Sequence, residues 1–294
     1  MSKTPETSSE SDGEQLTGRA LARLVEFSEA RAYFSLFSSA QAADPSLGFS
    51  CSRAGSSVLF RAQAVTSSLL FNRVLGLGVA EPASAEVIAS LVAAYAGGTV
   101  PFGVELSPAA EPADLPAMLA AQRLRKAFPA QILYRDGAAP PPRYEAWARA
   151  TGLRVESVAP EHAGTLARVC CENFKMPEAV WQLLRIGSCA AGWRRWLALD
   201  GDEAVGASLS FVQDDVAWLG WTSVRPSHRG RWVHAGIVAR ELEDAHAARC
   251  AWVTTETAIS TKEKPDAAYH NLRNFGFKDA YPRAVHVYQP RRGA

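Results

Sequence analysis

The sequence predicts an α+β (α/β) protein, a mixed sheet flanked by helices and built as two units in tandem. Three observations carry this. Val216 to Val224 reads as a buried strand, Arg225 to Arg231 as a basic turn, and Val233 to His246 as a helix with Val233, Ile237, Val238, Leu242 and Ala245 at helical spacing. From Leu153 to Tyr288 the elements follow the order β-α-α-β-β-β-α-β-α-β, with Asp200-Gly201 marking one hairpin turn. Residues 49 to 136 repeat part of that order, and the run DGAAPPP at 136 to 142 separates the two units.

In chain order, Met1 to Glu14 is polar and apolar-poor, so a disordered tail is expected over 1–14. Gln15 to Ala43 carries Leu21, Leu24, Val25, Ala32 and Leu36 on one helical face and ends at Asp44-Pro45. Short strands are expected at 49–51, 58–62 and 68–74, then a helix from about Ala85 to Ala96 with Ser84 as N-cap. A strand at 100–106, a helix at 114–126 with basic residues in its last turn, and a strand at 131–135 complete the first unit, 15–136. Residues 137–151 form a proline-rich linker in which Arg143 to Ala150 reads as a short helix or an extended arm. The second unit, 152–294, contains helices at 160–174 and 177–186 and strands at 193–199, 205–212, 216–224, 251–256 and 277–288. A helix at 267–274 precedes the last of these.

Composition excludes several classes. The chain has 294 residues, 48% of them hydrophobic, and a net charge of +1, which argues against a nucleic-acid partner bound through bulk charge. No apolar run reaches the length of a membrane span. The five cysteines lack metal-ligand spacing, and their odd number suits a reducing cytoplasm, so no metal is expected. His228, His234 and His246 match no zinc spacing either. The Ala, Arg and Pro bias fits a GC-rich bacterial genome.

A basic turn that opens a helix gathers backbone N–H groups, a positive dipole end and fixed arginines, which suits a phosphate or pyrophosphate. The segment VRPSHRGRWVH also resembles the acyl-CoA-binding signature of the GCN5-related N-acetyltransferases, with Val224, Pro226, Arg229, Gly230, Arg231 and Val233 at matching positions. Trp232 and His234 depart from it, since both positions favour a small residue in that family. The resemblance implies acetyl-CoA as co-substrate. Thr222, Ser223 and Val224 would bind its pantetheine through the backbone, and Arg229, Gly230, Arg231, Trp232, Val233 and His234 would hold its pyrophosphate, with Trp232 pointing outward. The turn at Gly76 to Glu81 has no arginine, so CoA is expected in the second unit only.

AYHNLRNFGF, 268–277, is similar to the family's second signature, with Gly276 as the helix C′ residue. Asn271 would reach the CoA there. The tyrosine that protonates the CoA thiolate in many members is replaced by Leu272, which leaves Tyr269 either as its substitute or as a packing residue. Glu256 ends a strand beside the expected cleft and is either the base that deprotonates the amine or a solvated strand-end carboxylate. Glu105 holds the corresponding place in the first unit.

The resemblance implies transfer of an acetyl group to a primary amine of a small molecule or peptide, in a monomer or homodimer, by a second unit that follows a degenerate first copy. A catalytically inactive relative that binds CoA as a sensor or scaffold is the other reading.

Overall fold

A computed structural model describes residues 16–65, 68–95 and 101–288. The tail expected over 1–14 lies outside them, as do residues 96 and 100 at the ends of two expected elements. Among the described residues eleven strands form one sheet, β1 (Phe49–Ala54), β2 (Ser57–Ala62), β3 (Arg73–Leu75), β4 (Phe102–Leu106), β5 (Leu124–Asp136), β6 (Arg154–Ser157), β7 (Trp193–Asp200), β8 (Glu203–Gln213), β9 (Val216–Val224), β10 (Trp252–Ala258) and β11 (Lys278–Tyr288). The helices are α1 (Gly18–Ala43), α2 (Ala85–Tyr95), α3 (Leu115–Ala121), α4 (Tyr144–Thr151), α5 (Ala163–Phe174), α6 (Glu178–Gly187), α7 (Val233–Ala247) and α8 (Ala267–Asn274).

The order across the sheet is β1-β2-β3-β4-β11-β5-β10-β9-β8-β7-β6. One pattern occurs twice. β1, β2 and β3 are antiparallel neighbours and β3 pairs parallel with β4 across α2. β7, β8 and β9 repeat this, and β9 pairs parallel with β10 across α7. The strands that would close each half are exchanged. β5 pairs with β10, and β11 pairs with β4. The sheet therefore runs without a break across the proline-rich segment, and each half takes its last strand from the other.

Alternation along the strands divides the core. Val58, Phe60 and Leu75 face α1, α5 and α6, while Leu59, Val74 and Val104 face α2 and α3. Ala217, Leu219 and Val253 pack beneath α7 and α8. The linker residues Tyr144 to Thr151 form α4, which lies on α7, and a Cβ at Gly236 would stand 2.2 Å from the Trp147 ring. Glycine is needed there because two elements approach through that position.

Two local expectations fail. The helix expected over 114–126 ends at Ala121, because Arg123 adopts φ 67° and turns the chain into β5. Arg125 and Lys126 are therefore strand residues and not a basic helix end. The strand expected at 68–74 is a 3-10 turn over Leu69–Phe71 followed by the short β3, since Ser68 caps Leu70 N–H.

Glu241, on the sheet side of α7, is 1% exposed and accepts a hydrogen bond from Ser208 Oγ at 2.7 Å, while its Oε2 has no partner. Burial pushes its pKa up to about 8, more than the Ser208 bond lowers it. The proton on Glu241 therefore stabilises the fold fully below the carboxyl's ordinary pKa of 4.5, and this stability is lost as pH rises through about 8. Glu241→Gln is expected to be more stable than the parent at pH 9, by roughly 2–4 kcal/mol, and to flatten the fall in Tm between pH 5 and pH 9. Parallel Tm–pH curves for the two proteins would contradict this.

Candidate active site

The site begins with an irregularity in β9. Its pairing with β8 jumps between Ala207↔Ser223 and Leu209↔Gly220, and Trp221 has φ 61°. Regular alternation would place Trp218 and Trp221 on opposite faces. The bulge puts both on the α1 side, where Trp218 lies 5.5 Å from Tyr33 and Trp221 lies 5.9 Å from Phe174 between ring centroids. The Trp218 ring folds over Gly220, where a Cβ would come within 2.0 Å of it. Beyond the bulge Thr222 turns to the α7 side and meets Ser208 Oγ at 2.8 Å.

Pairing between β9 and β10 stops at Leu219↔Thr255, just before the bulge. The two strands part there, and Gly220 to Val224 has no ladder partner on its β10 side. A cavity of about 570 Å³ passes through the opening, with Thr222, His234, Val238 and Leu272 on the α7–α8 side and Tyr33, Arg73, Glu105 and Glu256 on the α1 side.

On the α7–α8 side the chain leaves β9 through a 3-10 turn, Pro226–His228, and enters α7 at Val233. Gly230 has φ 77°, Trp232 has φ 62°, and no side chain caps α7, so its first amides remain available. The indole of Trp232 is 64% exposed, in line with the outward placement expected for it. Trp232 carbonyl accepts from Trp147 Nε1 at 2.9 Å, which anchors the turn to α4.

The basic residues of this turn are not equivalent. Arg231 pairs with Asp200 at 3.1 Å, and His228 approaches the same carboxylate at 3.2 Å. The His228 hydrogen bond and the Arg231 charge hold Asp200 below the usual carboxylate range. Arg229 touches the Val224 carbonyl at 3.4 Å and has no carboxylate partner among the described residues. Val233 is buried in the core, so only its backbone faces the turn. Ser223 is likewise buried, with its hydroxyl toward Cys170, and Val224 is half-buried.

His234 differs from a phosphate-facing cation. Burial pushes its pKa down to about 4, so the ring is neutral, and it lies in the cavity wall with Nδ1 3.4 Å from Asn271 Nδ2. Asn271 thus contacts His234.

Tyr269 does not enter the cavity. Ala268 and Leu272 line it, one helical turn apart, and Tyr269 lies about 100° round the helix from Ala268. Its hydroxyl donates to Asp279 at 3.1 Å on an exposed surface. The substitution for the missing acid is therefore not made from α8.

The α1 side holds what sequence reasoning missed. Glu256 lies two residues before the end of β10, in a buried ionic cluster and not in solvent. Arg283 Nη2 donates to Glu256 at 2.7 Å and also contacts Glu105, while its Nη1 reaches Glu29 at 2.8 Å and Glu26 at 3.4 Å. Arg73 donates to Glu105 at 2.6 Å and to Glu29 at 2.7 Å, and lies 3.9 Å from Glu256. Tyr281 donates to Glu26 at 2.8 Å. Both arginines stay charged, since their carboxylates, Glu105 foremost, outweigh burial. Four carboxyls face two guanidiniums, so full ionisation would leave two surplus negative charges.

Protons relieve that surplus. Burial, and next the charge of Glu29, push Glu256 up to about 8, and burial pushes Glu26 up to about 7. Burial also opposes the charge on Glu29, yet Arg283 and Arg73 outweigh it and hold Glu29 below the ordinary range. Oxygens of Glu29, Glu105 and Glu256 lie within 4.8 Å of one another, but the two guanidiniums already supply the positive charge between them. Glu256 alone of the four carboxylates is a quarter exposed, and that exposure is toward the cavity.

No family model matches the sequence, and no curated protein does. Solved structures do. A GCN5-related N-acetyltransferase from Kribbella flavida is 17% identical with a TM-score of 0.59, over 89% of this chain and 96% of that one. One from Sphaerobacter thermophilus is 14% identical with a TM-score of 0.57, over 95% of this chain and 96% of that one. A tandem GNAT protein from the clavulanic acid biosynthesis pathway is 14% identical with a TM-score of 0.55, over 90% of this chain and 96% of that one. Over nearly its whole length, then, the chain has the fold of the GCN5-related N-acetyltransferases.

Proposed function

We propose that the protein transfers an acetyl group from acetyl-CoA to a primary amine, with a degenerate first copy completing the site of the second. One observation carries this reading. The opening between β9 and β10 joins an unpaired strand edge and an uncapped helix start on one side to a carboxyl with its pKa pushed up to about 8 on the other.

The pantetheine arm lies along Gly220 to Val224, where backbone groups lack a strand partner. The pyrophosphate meets the first amides of α7 and the Arg229 guanidinium. The amine enters from the α1 side. Its nitrogen, as the free base, attacks the thioester carbonyl, the C–S bond breaks, Glu256 takes the proton that the nitrogen gives up, and the departing thiolate draws a proton from solvent, so that the products are an amide and CoA thiol. A carboxyl with a pKa of about 8 is a stronger base than an ordinary glutamate and is partly ionised near neutrality.

All five cysteines are free thiols, which supports a reducing compartment such as the cytoplasm. Among the described residues no helix is long and apolar enough to cross a membrane.

Calorimetric titration with acetyl-CoA tests the binding half. Arg229→Ala is expected to weaken it about fivefold to tenfold, through one charge-assisted phosphate contact at a partly exposed place. Arg231→Ala is expected to do less, because Asp200 already holds that guanidinium. Unchanged affinity in both variants would remove the pyrophosphate from this turn.

Trp232→Gly gives a second measurement. Trp232 occupies a left-handed conformation outside the helix, so glycine relieves about 1 kcal/mol of strain and incurs no helix penalty. Acetyl-CoA affinity within twofold of the parent and an unchanged or slightly higher Tm are expected. A tenfold gain in affinity would show that the indole blocks the site.

The absence of a hydroxyl from α8 in the cavity favours a second reading, a protein that binds acetyl-CoA without turning it over. Amine-dependent thiol release separates the two.

A further inference from the structure

The α1 side of the cavity has two chemically distinct parts. Its floor is the carboxyl of Glu256 within the ionic cluster. Its outer wall is aromatic and aliphatic, with Trp221, Phe174 and Phe128 joined by Leu69, Leu70 and Met176. Ser68 is the main polar contribution of that wall, and the one carboxylate of the described lining outside the cluster, Asp266, accepts from Thr257 Oγ1 at 3.0 Å and from the Tyr269 N–H at 2.7 Å.

The fold leaves three large hydrophobic side chains exposed among those residues, Phe128 at 64%, Phe174 at 43% and Trp232 at 64%. Two of the three border this mouth. Phe128 projects from β5, the exchanged strand of the first half, and Phe174 ends α5 of the second half. The strained bulge at Trp221 brings its indole to the same wall. Separate elements thus converge on one apolar surface that packing among the described residues does not cover, which is the signature of a ligand surface.

The floor sets the charge of that ligand. With two surplus carboxylates shared between two guanidiniums, the cluster accepts one added positive charge at Glu256, in the place of a proton. Farther out the lining has one other carboxylate among the described residues, Asp266, and its Oδ1 is already engaged by Thr257 and the Tyr269 N–H, so a second cation is held less well there than at Glu256. A polyhydroxylated body fits no better, since the wall offers few partners for its hydroxyls and would leave them unpaired.

We propose that the acceptor is a monocationic primary amine with an apolar, preferentially aromatic body, its ammonium on the Glu256 carboxyl and its body against Trp221, Phe174 and Phe128. This assignment rests on the acetyltransferase reading for its chemistry, but the binding surface it describes can be measured without turnover.

The test is a calorimetric titration of the full-length protein at pH 7 with 2-phenylethylamine, glucosamine and spermidine in turn, followed by thiol release from acetyl-CoA with each. 2-Phenylethylamine is expected to bind at least about tenfold more tightly than either of the others, as burial of a phenyl group implies. Phe128→Ser and Phe174→Ser, both at exposed positions, are expected to weaken it several-fold and to raise KM for it more than they lower kcat. Equal binding of the three amines, tighter binding of glucosamine or spermidine, binding by none, or unchanged affinity in both Phe variants would each overturn the assignment. Tight binding of 2-phenylethylamine without thiol release would leave the amine class standing and remove the acetyltransferase reading.

Discussion

Replacing Arg283 with alanine is expected to cost about 3–5 kcal/mol of stability and to lower Tm by about 10 °C, with poor soluble expression. Arg283 is fully buried and contacts four carboxylates from three elements, Glu26 and Glu29 on α1, Glu105 on β4 and Glu256 on β10. The intact cluster is not itself a large source of stability, because taking its charged groups out of water offsets most of the attraction between them. Removing one partner is different. The four carboxyls would then share Arg73 alone, and further protons would have to bind to keep the cluster buried. The loss should therefore grow as pH rises, because fewer protons are available to replace the missing guanidinium. Arg283→Lys keeps the charge but loses the planar fork, and is expected to fall between the alanine variant and the parent. A Tm for Arg283→Ala within about 2 °C of the parent would mean that the cluster is looser than its geometry.

The position of Arg283 also explains which parts of the site the sequence disclosed. The strand, basic turn and helix at 216–247 are local. Apolar spacing, Pro226 and Gly230 are enough to place them, and the observed limits of α7 agree to within a residue. Glu256 is legible too, at the end of an expected strand next to that unit. Its surroundings are not, because Glu26 and Arg283 are separated by 257 positions in the chain. A signal did exist. Glu26 and Glu29 fall on the same helical face as Ala22, Val25, Tyr33 and Leu36, which the sheet buries. Two acids on an apolar stripe require partners elsewhere in the fold, and Arg73 within LFNRVL is a cation in an equally buried strand. What no local pattern indicates is the exchange of β5 and β11, which is decided by edge pairing between distant segments. That exchange brings Arg283 to α1 and Phe128 to the cavity. The Tyr269 assignment fails for a smaller reason. Helical spacing places it near Leu272, but Asp279 on the neighbouring strand offers its hydroxyl an outward partner.

Replacing Glu256 with glutamine is expected to lower kcat for acetyl transfer by about 10²–10⁴-fold while leaving the fold and acetyl-CoA affinity nearly unchanged. The separation of these effects follows from the proton on Glu256. With its pKa pushed up to about 8, the carboxyl is mostly neutral at pH 7, so a neutral amide of the same shape replaces the prevailing form. The amide oxygen can still accept from Arg283, and the cluster keeps its charge balance. Only the ionised fraction, the one that can take a proton from the amine, is lost. The pH profile provides the second readout. In the parent, kcat/KM for an amine acceptor should rise with pH through about 8, as the carboxyl ionises. Glu256→Gln should lose the part of that rise due to the carboxyl and keep the part due to the amine's own deprotonation. Glu105→Gln is the paired control. Glu105 accepts from Arg73 at 2.6 Å and contacts Arg283, so its loss should disturb stability and shift the Glu256 limb without abolishing it. A Glu256→Gln protein that keeps more than about a tenth of the parental kcat, with the same pH profile, would take the base away from this carboxyl and leave it a structural member of the cluster.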